Sequence, residues 1–376
     1  MKNIYCDISA TTPLSVDVAE YMHQIQMNVF GNPSSIHRFG QESKAILEKS
    51  RRQISTALNC SPGEIYFTGC GSESNNMALQ ALLKPGDHVV SSSYEHPAIL
   101  KTLDYLESND ISVSRIKPDA NGIVTCEAVE AAIKENTRLV SIMFVNNEVG
   151  TINPVERISR CCRDSNILFH TDAVQAFGKI PIDMAELPVD LLSMSAHKLY
   201  GPKGVGALFI RNGTGINPIL FGGGQEKNLR PGTENIPGIA AFGLAAELSQ
   251  QNLTDTAHQI KNLTDQFLDL LKKSGLDFSQ NGKITIPGVL NLTFPNVDAQ
   301  TLVMSLDMAG VAVSAGSACS AGTVKVSGTL IEMGLNRKAA ASSIRISFGK
   351  YHTIEDIEFV AGKICDIISK RQGING

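Results

Sequence analysis

Between about Val18 and Ala245, short runs rich in β-branched residues alternate with amphipathic stretches of helical period. The runs Glu64–Thr68, His88–Ser91, Leu139–Val145, Ile167–Thr171, Leu191–Ser195 and Gly206–Ile210 are apolar on both faces. Strands of that kind, separated by helices, predict a parallel sheet with helices packed on each side. In the stretch from Ser43 to Leu58, the positions Ala45, Ile46, Ile54 and Leu58 fall near one helical face, while Lys44, Glu48, Lys49 and Arg52 fall elsewhere. Such a face is expected to pack onto the sheet.

The texture changes after Glu247. A long polar-to-amphipathic stretch reaches Lys273, then strand-like Val289–Phe294 and Ser342–Phe348 bracket a helical Gln300–Met308. Thr353 opens a last helix, with Glu355 and Asp356 in the first turn, where the helix dipole favours acids. Strands and helices here do not repeat as βαβ units, so a smaller α+β domain is expected. Open parallel sheets bind cofactors at the carboxyl ends of their strands, which places the expected site in the first region.

Composition narrows the function classes. A chain of 376 residues with 43% hydrophobic content can bury more than one core, and a net charge of −4 gives no bulk attraction to nucleic acid. The longest clearly apolar run, Ile236–Ala246, is well short of the ~20 residues that span a bilayer, so no membrane insertion is expected. Eight cysteines are scattered without a C-x-x-C pair, so no zinc ribbon or thioredoxin motif is written. The opening MKNIYCDISATTPLS lacks the pattern of a signal peptide, and a cytoplasmic protein with reduced thiols is expected.

Two segments carry candidate chemistry. Ser193 to Gly204 places Ser195, His197 and Lys198 directly after an apolar strand, and His170 to Gln175 places Asp172 at the end of another. Read alone, Lys198 belongs equally to a solvated basic loop, and Asp172 to a helix N-cap. Together they are what a pyridine aldehyde cofactor requires: a lysine to form a Schiff base, and a carboxylate to keep the ring nitrogen protonated. The turn Gly69-Cys70-Gly71-Ser72 opening a helix offers free backbone donors to an anion, although a tight turn with a serine cap explains the glycines unaided. Arg345, between Ile344 and Ile346, needs an acidic partner, either a ligand carboxylate or an internal Asp or Glu. Cys319 stands in a run of small residues, Ser314 to Thr323, with little to pack, from which a mobile, solvent-reachable loop is expected. The thiols Cys6, Cys60, Cys126, Cys161, Cys162 and Cys365 are read as small buried hydrophobes.

With these segments the chain resembles, nearly end to end, the pyridoxal-phosphate-dependent cysteine desulfurases of the NifS/IscS type, within the fold-type I, class V aminotransferases. The resemblance is carried by Ala10-Thr11-Thr12-Pro13, Gly31-Asn32-Pro33-Ser34-Ser35, Phe67-Thr68 through Glu73-Ser74-Asn75-Asn76, Glu95-His96, Val145 to Gly150, the two segments above, Gly222 to Glu226, Arg230 to Asn235, Gly316 to Ser320, and Ser342 to Arg345. It implies a large domain on a mostly parallel seven-stranded sheet, residues 13–255, and a smaller α+β domain, residues 1–12 plus 256–376. It further implies that Lys198 holds pyridoxal 5′-phosphate, Asp172 pairs with its ring nitrogen and Gln175 bonds its phenolic oxygen. Gly71, Ser72, Ser195 and His197 are implied to bind the phosphate, and His96 to stack on the ring and relay protons. Arg345, with Asn147, is implied to hold the α-carboxylate of L-cysteine. Cys319 is implied to take the sulfur as a persulfide, leaving L-alanine, and to pass it to an acceptor in iron–sulfur cluster assembly, tRNA thiolation or DNA phosphorothioation. Thr233 is implied to reach the cofactor of the other subunit in a homodimer.

The chain departs from the family pattern at three places. Asp7-Ile8-Ser9-Ala10 stands where Asp-Asn-Ala-Ala is usual, Cys70 replaces a glycine, and Ser72 replaces a threonine but keeps the hydroxyl. The chain stops soon after its last helix, which puts docking of an iron–sulfur scaffold protein through a longer tail in doubt. Two rival readings stand beside the desulfurase: a selenocysteine lyase or other class V lyase or aminotransferase, and an inactive sulfur-relay subunit. Alanine and sulfide made from cysteine mark the first distinction, and cofactor binding the second.

Overall fold

The structure, a computed structural model, describes residues 2–316 and 326–372. Seven strands form the main sheet in the order Ile65–Thr68, Gly206–Ile210, Leu191–Ser195, Leu168–Asp172, Thr137–Ser141, His88–Ser92, Ser112–Ile116. Of these, Gly206–Ile210 runs antiparallel to both its neighbours and the other pairings are parallel, as the continuous apolar runs predict. The edge strand Ser112–Ile116 is missing from those runs. Exposed or half-buried along its whole length, it needs no apolar face, and it pairs with His88–Ser92 alone.

The apolar run to Val145 overshoots its strand, which ends at Ser141. Beyond it the Ile142 and Phe144 amides donate to the carbonyls of His170 and Asp172, carrying the chain over the end of the neighbouring strand and into the site.

The helix Arg38–Leu58 is longer than its predicted core, and its buried face is rotated from the expected one. Ala45 is exposed and Ile46 half-buried, whereas Ser43, Leu47, Ser50, Arg51, Ile54 and Leu58 are buried. Small residues line this face because the helix Ile236–Gln251 comes very close: a Cβ on Gly243 would lie 2.8 Å from Ser50 Cα. Arg51 tolerates burial through a two-pronged ion pair with Glu226, at 2.7 and 2.8 Å, and a bond to the Ile65 carbonyl. The run Ile236–Ala246 is thus a core helix, and no helix among the described residues is long and apolar enough to cross a membrane.

A second sheet orders Ser343–Ser347, Val289–Thr293 and Ser279–Asn281, all antiparallel. The helices Leu253–Lys273, Ala299–Met308 and Ile354–Gln372 contribute to a core of its own around Phe267, Leu290, Phe294, Leu302, Ile344 and Ile364. The first residues join this unit. Ile4–Tyr5 pairs with Val311–Ala312, and Asp7 bridges to Ser347, which brings the Asp7 carboxylate beside Arg345.

Candidate functional site

The carboxyl ends of Leu168–Asp172 and Leu191–Ser195 open on a cavity of about 310 Å³. Its wall includes Gly71, Ser72, Asn75, His96, Asn147, Asp172, Gln175, Ser195, His197, Lys198 and Arg345. Ten side chains or backbone positions singled out in the sequence therefore meet at one place, together with Cys70. Two others do not: Thr233 is exposed and lies off this wall, and Cys319 falls outside the described residues.

Asp172 is buried and held from both oxygens. Oδ2 accepts from Asn75 Nδ2 at 2.7 Å and Oδ1 from the Val174 amide at 2.9 Å, so the N-cap-like bond and the acid in the cavity coexist. Asn75 comes from the helix Gly71–Gln80, whose first turn lacks intrahelical acceptors for its amides. Gly71 has no room for a side chain, since a Cβ would stand 2.8 Å from Val174 Cγ2. Two residues before Asp172 on the same strand, His170 bridges Ser141 Oγ and Ser193 Oγ on the two neighbouring strands, and burial lowers its pKa to about 3. It is a neutral strut under the site.

Gln175 is fixed by a residue that the sequence did not single out. Lys179 Nζ donates to Gln175 Oε1 at 2.7 Å, and Gln175 Nε2 donates to the Ser9 carbonyl at 2.8 Å. Burial, then the positive charges of Lys198 and Arg345, bring Lys179 down to about 7. The four-residue spacing from Gln175 was the available signal, but a lone lysine after a glycine reads as solvated.

Lys198 follows its strand in the short turn Ala196–Lys198, with Nζ 2.7 and 2.6 Å from the carbonyls of Ser9 and Ala10. His197 Nδ1 lies 3.0 Å from Thr11 Oγ1, and its carbonyl accepts from Thr12 Oγ1. Burial first, then Lys198, lowers His197 to about 4, so it acts as a neutral hydrogen-bonding group. The segment Ser9–Thr12 thereby organises both basic residues. His96 caps the helix Pro97–Glu107 by accepting from the Ala98 amide, and burial lowers its pKa against the pull of Asp172. Its neighbour Glu95 accepts from Ser92 Oγ and the Met143 amide, and burial pushes it up to about 8.

Arg345 realises the internal ion pair. Nη2 donates to Asp7 Oδ1 at 2.7 Å and Nη1 to the Asn147 carbonyl at 2.8 Å, yet the buried Nε has no partner among the described residues. The backbone of Arg345 also exchanges two hydrogen bonds with Ser314. On the other side of residues 317–325, Ser327 Oγ donates to Glu148 Oε2 at 2.5 Å and Thr329 Oγ1 to Glu148 Oε1 at 3.0 Å. Both flanks of the segment containing Cys319 are thus tied to residues at, or next to, the cavity wall. Of the six thiols expected to be buried, Cys6, Cys126 and Cys162 are, whereas Cys60, Cys161 and Cys365 are only half-buried because they sit at helix surfaces and ends.

Residues 4–360 match the family model for aminotransferase class-V. The chain is 40% identical over 380 residues to the cysteine desulfurase IscS of Dictyoglomus turgidum, covering 100% of this chain and 96% of the relative. It superposes on a solved NifS-like protein with a TM-score of 0.92 and 38% identity, covering 98% of this chain and 100% of the other. A structure described as SspA in complex with cysteine matches with a TM-score of 0.82 and 34% identity, over 93% of this chain and 99% of that one.

Proposed function

Since the chain belongs to the class-V aminotransferase family, we propose that it is a pyridoxal 5′-phosphate-dependent cysteine desulfurase, converting L-cysteine to L-alanine and a protein-bound persulfide. The carrying observation is that Lys198, Asp172 and Arg345 line one cavity of about 310 Å³. A Schiff-base lysine, an acid for a protonated ring nitrogen and a guanidinium for an α-carboxylate are the three anchors the chemistry requires. The relatives named cysteine desulfurase, and the neighbour solved with cysteine, support the same substrate.

The residues fit that cofactor. Asp172 has its carboxylate pinned by Asn75 and Val174, which sets its direction before anything binds. Gly71 and Ser72 open a helix at a position closed to a larger residue, while Ser195 and neutral His197 add side-chain donors, together a site for a phosphate. Gln175 presents its amide for a phenolic oxygen. When bound, the cofactor supplies an electron sink for the pair left by the substrate α-proton. Lys198 would hold it, and once the substrate amino group has displaced the lysine its freed amine would remove that proton. Arg345 turns its Nε, unpartnered among the described residues, and donors now given to Asp7 and Asn147, to the substrate carboxylate, with Asn147 alongside. His96, neutral through burial, relays a proton. Cys319 attacks the substrate sulfur as a thiolate. An S–S bond forms, the C–S pair returns to carbon, and a proton completes alanine.

Thr233 serves the cofactor phosphate of a second subunit in a homodimer. Its exposure, and that of the apolar Phe30, Ile36, Phe39 and Phe221, supports a covered face. We place the domain division at residues 13–255 against 1–12 plus 256–376, in keeping with a hydrophobic core whose buried members are Ile4, Cys6 and residues from Leu263 onward. The persulfide goes to a cytoplasmic acceptor protein.

Purified enzyme incubated with L-cysteine and a thiol reductant is expected to yield alanine and sulfide in equal amounts. Cys319→Ser should abolish sulfur transfer and keep the cofactor absorbance, and Lys198→Ala should lose the borohydride-fixed cofactor adduct. A fixed adduct surviving in Lys198→Ala would falsify the lysine assignment, and full persulfide formation in Cys319→Ser would remove the thiol from its role.

A further inference from the structure

Outside the cavity, one group of thiol and carboxylate side chains converges among the described residues. The ligand atoms of Cys126, Glu130 and Cys161 all lie within 4.8 Å of one another. Cys126 and Glu130 stand four residues apart on one face of the helix Cys126–Ala132, with Cys126 Sγ 3.7 Å from Glu130 Oε1. Cys161 comes from the helix Val155–Asp164, which packs against the first.

Among the described residues no side-chain cation pairs with these groups, although the charge of Arg157 reaches Cys126. The Arg157 guanidinium on the same helix as Cys161 is engaged by Glu127, and Glu130 forms no ion pair among the described residues. Burial, followed by Glu130 and then Cys126, pushes the Cys161 thiol up to about 12, so in the absence of a metal the pair stays protonated. The Cys126 thiol also lies 3.8 Å from the Arg157 carbonyl, a contact it makes as an S–H donor and gives up when the thiol is deprotonated.

We propose that Cys126, Cys161 and Glu130 bind one Zn²⁺, with a fourth position open to water on the exposed side of Glu130. Zinc at ~2.3 Å from sulfur and ~2.1 Å from oxygen sets tetrahedral ligand atoms about 3.4–3.8 Å apart. The Cys126–Glu130 spacing already meets this, and side-chain rotation closes the rest. Two thiolates and a carboxylate favour zinc over calcium or magnesium, which take oxygen ligands, and over copper(I), which prefers sulfur alone. Binding releases the two thiol protons, so affinity rises with pH. The site shares no residue with the cofactor cavity and does not depend on the desulfurase reading.

The test uses the full-length, cofactor-loaded protein prepared under reducing conditions, with Zn²⁺ and Co²⁺ as probes. Wild type is expected to retain one more Zn²⁺ per chain after dialysis than Cys161→Ala or Cys126→Ala. With Co²⁺ it should show the intense red-region bands of a tetrahedral sulfur-containing site, clear of the cofactor's own absorption. The exposed change Glu130→Gln, which leaves packing intact, should weaken zinc at least about tenfold, while Cys60→Ala should match wild type. Cofactor absorbance reports folding in every variant. Equal zinc retention in wild type, Cys161→Ala and Glu130→Gln overturns the proposal. So does a Cys126–Cys161 disulfide, found by peptide mapping in the reduced preparation, with no zinc retained.

Discussion

Two cavities meet at Ser9 and Lys198, and they differ in kind. The larger, about 470 Å³, runs between the helices Ile236–Gln251 and Leu253–Lys273 and the segment Phe348–Tyr351, past Leu248, Ile260, Ile286 and Phe348. The smaller, about 310 Å³, has an acid, a lysine, two histidines and an arginine around it, nearly all delivered by strand ends or the turns that follow them. Volume locates the first and chemistry the second. A sheet's carboxyl edge collects polar groups because its strands stop there and its helices begin there, whereas a gap between packed helices collects whatever those helices leave uncovered.

Four substitutions sharpen or break that contrast, in order of expected size. Lys198→Ala, on the shared wall, should lower alanine formation by about 10³-fold or more, the scale of a lost positioned base, measured with saturating L-cysteine. Arg345→Lys keeps the charge and loses the fork. The KM for L-cysteine should rise roughly 10- to 100-fold, the worth of a charged hydrogen bond, with a smaller change in kcat. A proportional fall in kcat with unchanged KM would instead make Arg345 a structural partner of Asp7. Lys179→Met reaches the smaller cavity from the wall of the larger. Freeing Gln175 Oε1 should lower kcat/KM about fivefold to tenfold and move the pH titration of the bound cofactor's absorbance, a readout that simple loosening of the fold would not shift. Thr256→Val, in the larger cavity alone, should leave activity within roughly twofold and stability within about 0.5 kcal/mol in thermal melts. A tenfold loss there would assign the larger cavity a part in the reaction.

The same contrast explains what could be read from the sequence. Strands buried on both faces announce themselves through local composition, and the six apolar runs each mark a strand of the main sheet. The edge strand Ser112–Ile116 stayed hidden because an edge with half-buried side chains carries no apolar signal. The period of the helix Arg38–Leu58 announces its presence but not its buried face, since the partner helix demands small residues such as Ser50 and the face even admits Arg51, whose partner Glu226 lies far away in sequence. Site residues were legible where they sit in contiguous motifs, as from His170 to Gln175 and from Ser195 to Lys198. Lys179, Glu148 and the Cys126–Glu130–Cys161 group were not, because each acquires meaning only through a neighbour brought in by packing. Glu148 shows this well: inside a recognisable motif it reads as one more acid, yet it joins the cavity wall to the flank of the segment carrying Cys319.

The central claim is that L-cysteine sulfur moves to Cys319 at this cavity, and peptide mass mapping tests it most directly. Enzyme given one equivalent of isotopically sulfur-labelled L-cysteine without reductant, then alkylated and digested, should carry the labelled extra sulfur on the peptide containing Cys319, with an equal amount of alanine released. The labelled sulfur found instead on Cys70, a thiol on the cavity wall, or alanine released with no labelled sulfur on the protein, would contradict it.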